Sequence, residues 1–241
     1  MRIGIFGDSF AAYYGIYTEN KPWPILLNEL IGDGQAGQWA RGGTSHWYSY
    51  EQFIKRHHEY DCIVFCHTFS LRWPVTPPGL EHYAWEIGFR KNSPMDTYNK
   101  FRKDIMSEDL LNYISTNIVK DVNRICQESN KYLVNIFSFP LDYDMPKISY
   151  PALLNLSQIT KSEQIFYKGK YQLIGDVNTE RGGDLRDCHL NSLNNKRLSN
   201  IVYDLIKNKT LNTVIDLTKL EWDIKDPVMD IIYKKDDVKR I

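Results

Sequence analysis

Arg2-Ile3-Gly4-Ile5-Phe6-Gly7-Asp8-Ser9-Phe10 is the stretch that decides the fold. Its first half is a short apolar run with β-branched residues, which reads as a buried strand. The run stops at Gly7 and passes through Asp8 and Ser9, and a helical-looking segment begins at Phe10. Gly7 allows the tight turn without a Cβ clash. Asp8 or Ser9 falls at the helix N-cap, where free backbone N–H groups point outward and favour negative charge. A serine displayed there can act as a nucleophile, and the same N–H groups can hold the oxyanion it creates. The plainer reading of this tripeptide is a turn followed by a capping hydroxyl, so the rest of the chain has to decide.

Working outward, strands and helices alternate. Pro22 and Pro24 break the helical pattern of Ala11 to Ile31, which leaves a helix over Ile25 to Ile31. Gln35 to Ala40 reads as a second strand. Arg41-Gly42-Gly43-Thr44-Ser45 is a glycine-rich loop, with Thr44 or Ser45 as cap of a helix from His46 to His58. Asp61 to His67 is the clearest buried strand after the first. Ser70 to about Asp96 holds four prolines and several aromatics without a clean period, as expected of an inserted loop or lid. Tyr98 to Asn130 is a long amphipathic helical region, Lys131 to Phe139 a strand, and Ser192 to Lys207 a helix. Leu153 to Gly175 is ambiguous. The pattern predicts an α/β fold, a three-layer α/β/α sandwich around a mainly parallel, flavodoxin-like sheet. Reactive loops of such sheets gather at the carboxyl ends of the strands, which would bring Ser9, Gly43 and Thr68 to one rim. One domain over residues 1–208 is expected. Residues 209–241 read as a C-terminal extension that packs on the body or on a partner subunit, and through it a homo-oligomer could form.

Composition narrows the classes of function. The chain has 241 residues, enough for one large core, and thirty basic residues balance thirty acidic ones. No global field therefore recruits nucleic acid or an anionic membrane. No apolar run reaches the length of a membrane span, and the opening residues are strand-like rather than a leader peptide, so a cytoplasmic location is expected. Cys62, Cys66, Cys126 and Cys188 are irregularly spaced and read as buried thiols rather than disulfides or metal ligands. His57-His58 point to different faces of a helix and make a poor metal pair.

Asp184-Leu185-Arg186-Asp187-Cys188-His189-Leu190-Asn191 comes just before the last helix. It supplies an imidazole with carboxylates close by, as a general base and its orienting acceptor require. Asp184 and Asp187 are both candidates for that acceptor.

With these residues in view, the chain resembles the SGNH, or GDSL-like, hydrolase family. Ile5-Phe6-Gly7-Asp8-Ser9 is similar to the family's first block. Gly42-Gly43-Thr44-Ser45 is similar to the second, whose glycine N–H serves the oxyanion hole. Asp187-Cys188-His189-Leu190-Asn191 is similar to the last. The resemblance implies Ser9 as nucleophile and His189 as base, with Ser9 and Gly43 as oxyanion donors. Two departures stand out. The family's third block ends a strand with Gly-x-Asn-Asp, whereas this strand ends Cys66-His67-Thr68-Phe69-Ser70. Thr68 falls nearest the missing Asn, and its hydroxyl could take over the donation. The family's acid stands three residues before the His, where this chain has Arg186. The spacing Asp-x-Arg-x-x-His-Leu also looks like a variant of bacterial and phage members, which favours Asp184.

The expected function is a serine esterase or deacylase that needs no metal or organic cofactor. An O-acetyl group on a carbohydrate is the first substrate class, with Trp73, Tyr83 and Trp85 of the aromatic loop as stacking residues. The rival expectation is a non-catalytic binding or structural module on the same fold, such as a virion component if the chain is phage-encoded. A mononucleotide binder is a third, poorer reading, because the loop after the first strand lacks a phosphate cradle.

Overall fold

The computed structural model describes residues 1–12, 21–32, 36–42, 44–68, 70, 107–138, 149–159, 163–167, 170–174, 190, 192–222 and 239–240. Its centre is a six-stranded, all-parallel sheet. The strands are β1 (Ile3–Gly7), β2 (Ala36–Ala40), β3 (Cys62–His67), β4 (Tyr132–Phe137), β5 (Ala152–Leu154) and β8 (Val214–Asp216). Their order is β2-β1-β3-β4-β5-β8. The first five follow the flavodoxin-like order, in which the chain reverses direction beside β1.

Period-two alternation sorts the side chains of these strands to two faces. Ile3, Ile5, Cys62, Val64, Cys66, Val134 and Ile136 point to one face. There they meet Trp23 and Leu27 of α1 (Trp23–Ile31) and Leu198, Val202, Leu205 and Ile206 of α4 (Ser192–Asn208). Phe6, Ile63, Phe65 and Leu133 point to the other face. They pack on Phe53 of α2 (His46–Arg56) and on Ile118, Val122 and Cys126 of α3 (Glu108–Glu128). The result is a three-layer α/β/α sandwich whose inner strands are buried along their whole length, as a sheet covered on both faces requires.

A second, antiparallel sheet joins β6 (Glu163–Tyr167) to both β7 (Lys170–Ile174) and β9 (Lys239–Arg240). The ambiguous stretch Leu153 to Gly175 thus contains the end of β5 and a hairpin.

One sequence expectation changes. The residues directly after Ser9 do not start a helix: Asp8 to Ala11 is a turn, closed by Ala11 N–H on the Asp8 carbonyl at 3.1 Å, and the first helix among the described residues, α1, starts at Trp23. The first part of the expected C-terminal extension packs on the body. β8 pairs in parallel with β5, and Leu217 just after it is fully buried, so this part of the extension completes the domain. The long helical region begins, within the described residues, at Glu108 behind the capping hydroxyl of Ser107, which accepts from Leu110 N–H at 3.1 Å. The inserted loop, with Trp73, Tyr83 and Trp85, lies outside the described residues.

Candidate active site at the carboxyl rim of the sheet

The rim is built on Gly7. A Cβ there would stand 2.6 Å from the Cβ of Cys66, so only glycine lets β1 and β3 run this close where the turn begins. Asp8 follows and is fully buried. One of its carboxylate oxygens accepts Phe10 N–H at 3.1 Å, an Asx-type brace two residues on. The other accepts the hydroxyl of Thr68. Ser9 is half-buried between these braced neighbours.

Thr68 therefore differs from its expected role. A threonine hydroxyl has one proton, and here that proton is given to Asp8. As placed, the side chain ties the end of β3 to the serine turn.

The other side of the rim comes from α1 and α4. Trp23 uses both of its nitrogens: the indole N–H donates to the Phe10 carbonyl at 2.7 Å, and the backbone N–H donates to Asn195 Oδ1 at 2.8 Å. Asn195 in turn donates from Nδ2 to the Leu190 carbonyl at 2.8 Å. Leu190, Phe10, Ala11 and Trp23 belong to one buried cluster. The residue after Ser9 and the residue before Asn191 are thus held together, although 180 positions of sequence separate them. Gly43, Asp184, Asp187 and His189 lie outside the described residues.

The glycine loop leads into α2. Arg41 N–H donates to the Gly7 carbonyl at 3.1 Å, and the Thr44 hydroxyl donates to the Arg41 carbonyl at 2.7 Å. Ser45 caps the helix by accepting Tyr48 N–H at 3.2 Å, as its sequence position predicted.

Between the sheet and α2 lies a buried polar chain that the sequence reading missed. His46 Nε2 and His67 Nδ1 are 2.8 Å apart, and His67 Nε2 lies 3.0 Å from Asn135 Oδ1. Asn135 pairs reciprocally with Asn123 of α3 at 3.3 Å in both directions. All four side chains are buried. Burial holds both imidazoles below their ordinary pKa. His67 is lowered to about 4, with the Asn135 bond pulling the other way, and His46 is held well below its ordinary value, with the neighbouring His67 adding to the effect. One signal was available in the sequence. Asn135 interrupts the apolar run Tyr132-Leu133-Val134-Asn135-Ile136-Phe137, and a polar residue at an inward position needs a partner.

On the outer side of the α2–α3 layer lies an open groove of about 540 Å³ between Trp47 and Tyr50 of α2 and residues 113–124 of α3. Trp47, Tyr50, Tyr113, Asn117, Asp121 and Arg124 line it, and Ser9 does not. The Tyr50 hydroxyl donates to Asp121, and burial, before that bond, pushes the phenol up to about 12. His57 is a satisfied helix-end residue with Nδ1 3.1 Å from the Phe53 carbonyl oxygen. Cys62, Cys66 and Cys126 are buried free thiols. No described helix is long and apolar enough to cross a membrane.

No family model matches the chain, and no curated protein sequence does either. Among solved structures it is similar to the crystal structure of protein YXIM from Bacillus subtilis, at 13% identity and a TM-score of 0.32. The match covers 89% of this chain and 43% of that one. At that score the likeness carries no argument about fold or function. The three-layer α/β class rests on the strand order and the two helical layers described above.

Proposed function

We propose that this chain is a serine esterase or deacylase of the SGNH type, acting on an O-acyl group, with O-acetylated carbohydrate as the first substrate class. Ser9 Oγ attacks the ester carbonyl and His189 takes its proton. The alcohol leaves with that proton, and water, deprotonated by His189, cleaves the acyl-serine and frees the acid. Asp184 or Asp187 orients the imidazole. The backbone N–H groups of Ser9 and Gly43 hold the oxyanion.

One observation supports this reading above the others. Phe10 and Leu190, the chain neighbours of Ser9 and His189, are buried in one cluster and joined through Trp23 and Asn195. A half-buried Ser9 on a braced turn at the carboxyl end of β1 adds to it. The test is labelling with a fluorophosphonate probe together with hydrolysis of p-nitrophenyl acetate. Ser9→Ala is expected to abolish both while leaving the far-ultraviolet circular dichroism spectrum unchanged. An unchanged rate would remove Ser9 from the mechanism.

The groove between α2 and α3, lined by aromatics and not by Ser9, favours a second reading, a binding module without catalysis. Absence of probe labelling on a folded protein whose Ser9 is accessible would favour it.

A further inference from the structure

The buried chain that links α2, β3, β4 and α3 has a fixed proton arrangement, which follows from its two ends. Asn123 Nδ2 lies 2.8 Å from the Val119 carbonyl oxygen, and Asn135 Nδ2 lies 3.4 Å from the Pro151 carbonyl oxygen. A carbonyl only accepts, so both amide nitrogens are assigned on those sides. Asn135 therefore turns Oδ1 toward His67, and His67 Nε2 must carry the proton. His67 Nδ1 is then a bare lone pair, and His46 Nε2 must donate to it. His46 Nδ1 is left unprotonated, buried and without a hydrogen-bond partner among the described residues.

The pair occupies a particular place. His46 is the first residue of α2, directly after the Gly42–Ser45 loop. His67 is the last residue of β3, directly before Thr68, whose hydroxyl holds Asp8 next to Ser9. Two hydrogen bonds and a few peptide bonds thus connect the glycine loop to the serine turn. Stacking keeps the rings in place: His67 lies on Phe137 with centroids 4.6 Å apart and planes 18° apart, and His46 meets Phe65 edge-on at 5.9 Å.

We propose that His46 and His67 are positioning residues that fix the glycine loop relative to the Ser9 turn through one neutral imidazole–imidazole hydrogen bond. The proposal rests on the serine-hydrolase reading, in which those two segments supply the backbone donors of the oxyanion hole. Adding a proton at His67 Nδ1 makes both facing nitrogens N–H donors and breaks the bond. Among the described residues, the charged groups around the pair are few. Each ring faces the other; β3 and β4 present Phe65, Phe137 and the amide of Asn135, and α3 presents the amide of Asn123. Asp8, at the end of β1, is the buried carboxylate of this rim, and its oxygens accept from Phe10 and Thr68. None of these compensates a charge on the rings.

The test compares full-length wild type with His46→Gln and His46→Phe. Glutamine can place an N–H donor where His46 Nε2 stands; phenylalanine fills the space without one. His46→Phe is expected to lower kcat on p-nitrophenyl acetate about tenfold or more with little change in KM, as displaced catalytic donors do. His46→Gln is expected to recover most of the loss. Hydrogen exchange is read in parallel: His46→Phe should speed exchange in residues 8–11 as well as in 41–46. Equal impairment in both variants, or unchanged exchange at residues 8–11 in His46→Phe, would overturn the proposal. If His46→Phe does not fold, imidazole nitrogen chemical shifts of the wild type decide: His46 protonated at Nε2 supports the bond, and protonation at Nδ1 refutes it. Wild-type protein without esterase activity would end the hydrolase reading, while exchange and nitrogen shifts still report on the clamp.

Discussion

Single side chains at the rim do work that their types alone do not announce. Thr68 was expected as an oxyanion donor because it stands where a related block has Asn. Its hydroxyl instead serves the fully buried Asp8. Thr68→Val keeps the shape and removes that donor from a buried carboxylate. A loss of about 1–3 kcal/mol is expected, read as a lower urea midpoint at unchanged slope. An unchanged midpoint would mean that Asp8 does not depend on this bond. The Asp8–Ser9 turn was legible in the sequence because Gly, Asp and Ser each have a local geometric use. The His46–His67–Asn135–Asn123 chain was not, because four residues far apart in sequence meet only through strand register and helix packing. Register places Asn135 opposite Phe65 and Phe137 opposite His67, and no local pattern encodes that pairing.

At the scale of elements, periodicity located the strands and helices of the sandwich, and boundaries were where it failed. The helix expected after Ser9 is replaced by a turn, because Asp8 captures Phe10 N–H locally and Pro22 opens α1 with extended backbone. β8 was legible as the strand-like Thr213-Val214-Ile215, but its place in the sheet was not, because three residues do not specify a pairing partner. Its role comes from pairing with β5, from the Asn155–Asp216 hydrogen bond at 3.0 Å and from burial of Leu217. Truncating the chain after Asn208 should therefore destabilise the body. Loss of a fully buried leucine alone costs about 2–5 kcal/mol, and the melting temperature is expected to fall accordingly. A truncated protein that melts with the full chain would restore a separate extension. The joint between α1 and α4 carries a parallel expectation. Asn195→Ala leaves Trp23 N–H and the Leu190 carbonyl without their shared partner, at a cost of about 1–3 kcal/mol. If the hydrolase reading holds, kcat on p-nitrophenyl acetate should fall more than stability explains; a kcat equal to wild type would separate this joint from the site.

For the whole molecule, the two buried imidazoles set a pH dependence. Their folded-state pKa values lie below the ordinary 6.5, with His67 at about 4. Below pH 6.5 the unfolded chain binds protons that the folded chain refuses, so stability falls as the pH falls. His67 contributes a slope of up to ~1.4 kcal/mol per pH unit between 6.5 and about 4 and then levels off; His46 adds a contribution of the same sign below 6.5. Urea midpoints taken from pH 7.5 down to pH 4 should show this decline, and replacing His67 with a non-titrating residue should flatten it. A flat profile in the wild type would mean that the rings are solvated or charged.

The buried cluster that Phe10 and Leu190 share also constrains the protein's biogenesis. A ribosome finishes β1, β3 and β4 long before it delivers the helix that roofs Ile3, Ile5, Val64 and Val134. Until Leu198 and Val202 emerge, the growing polypeptide carries a bare apolar wall, an invitation to chaperones and to misassembly. Closure of the rim around Phe10 and Leu190 therefore waits until that later part of the chain has emerged.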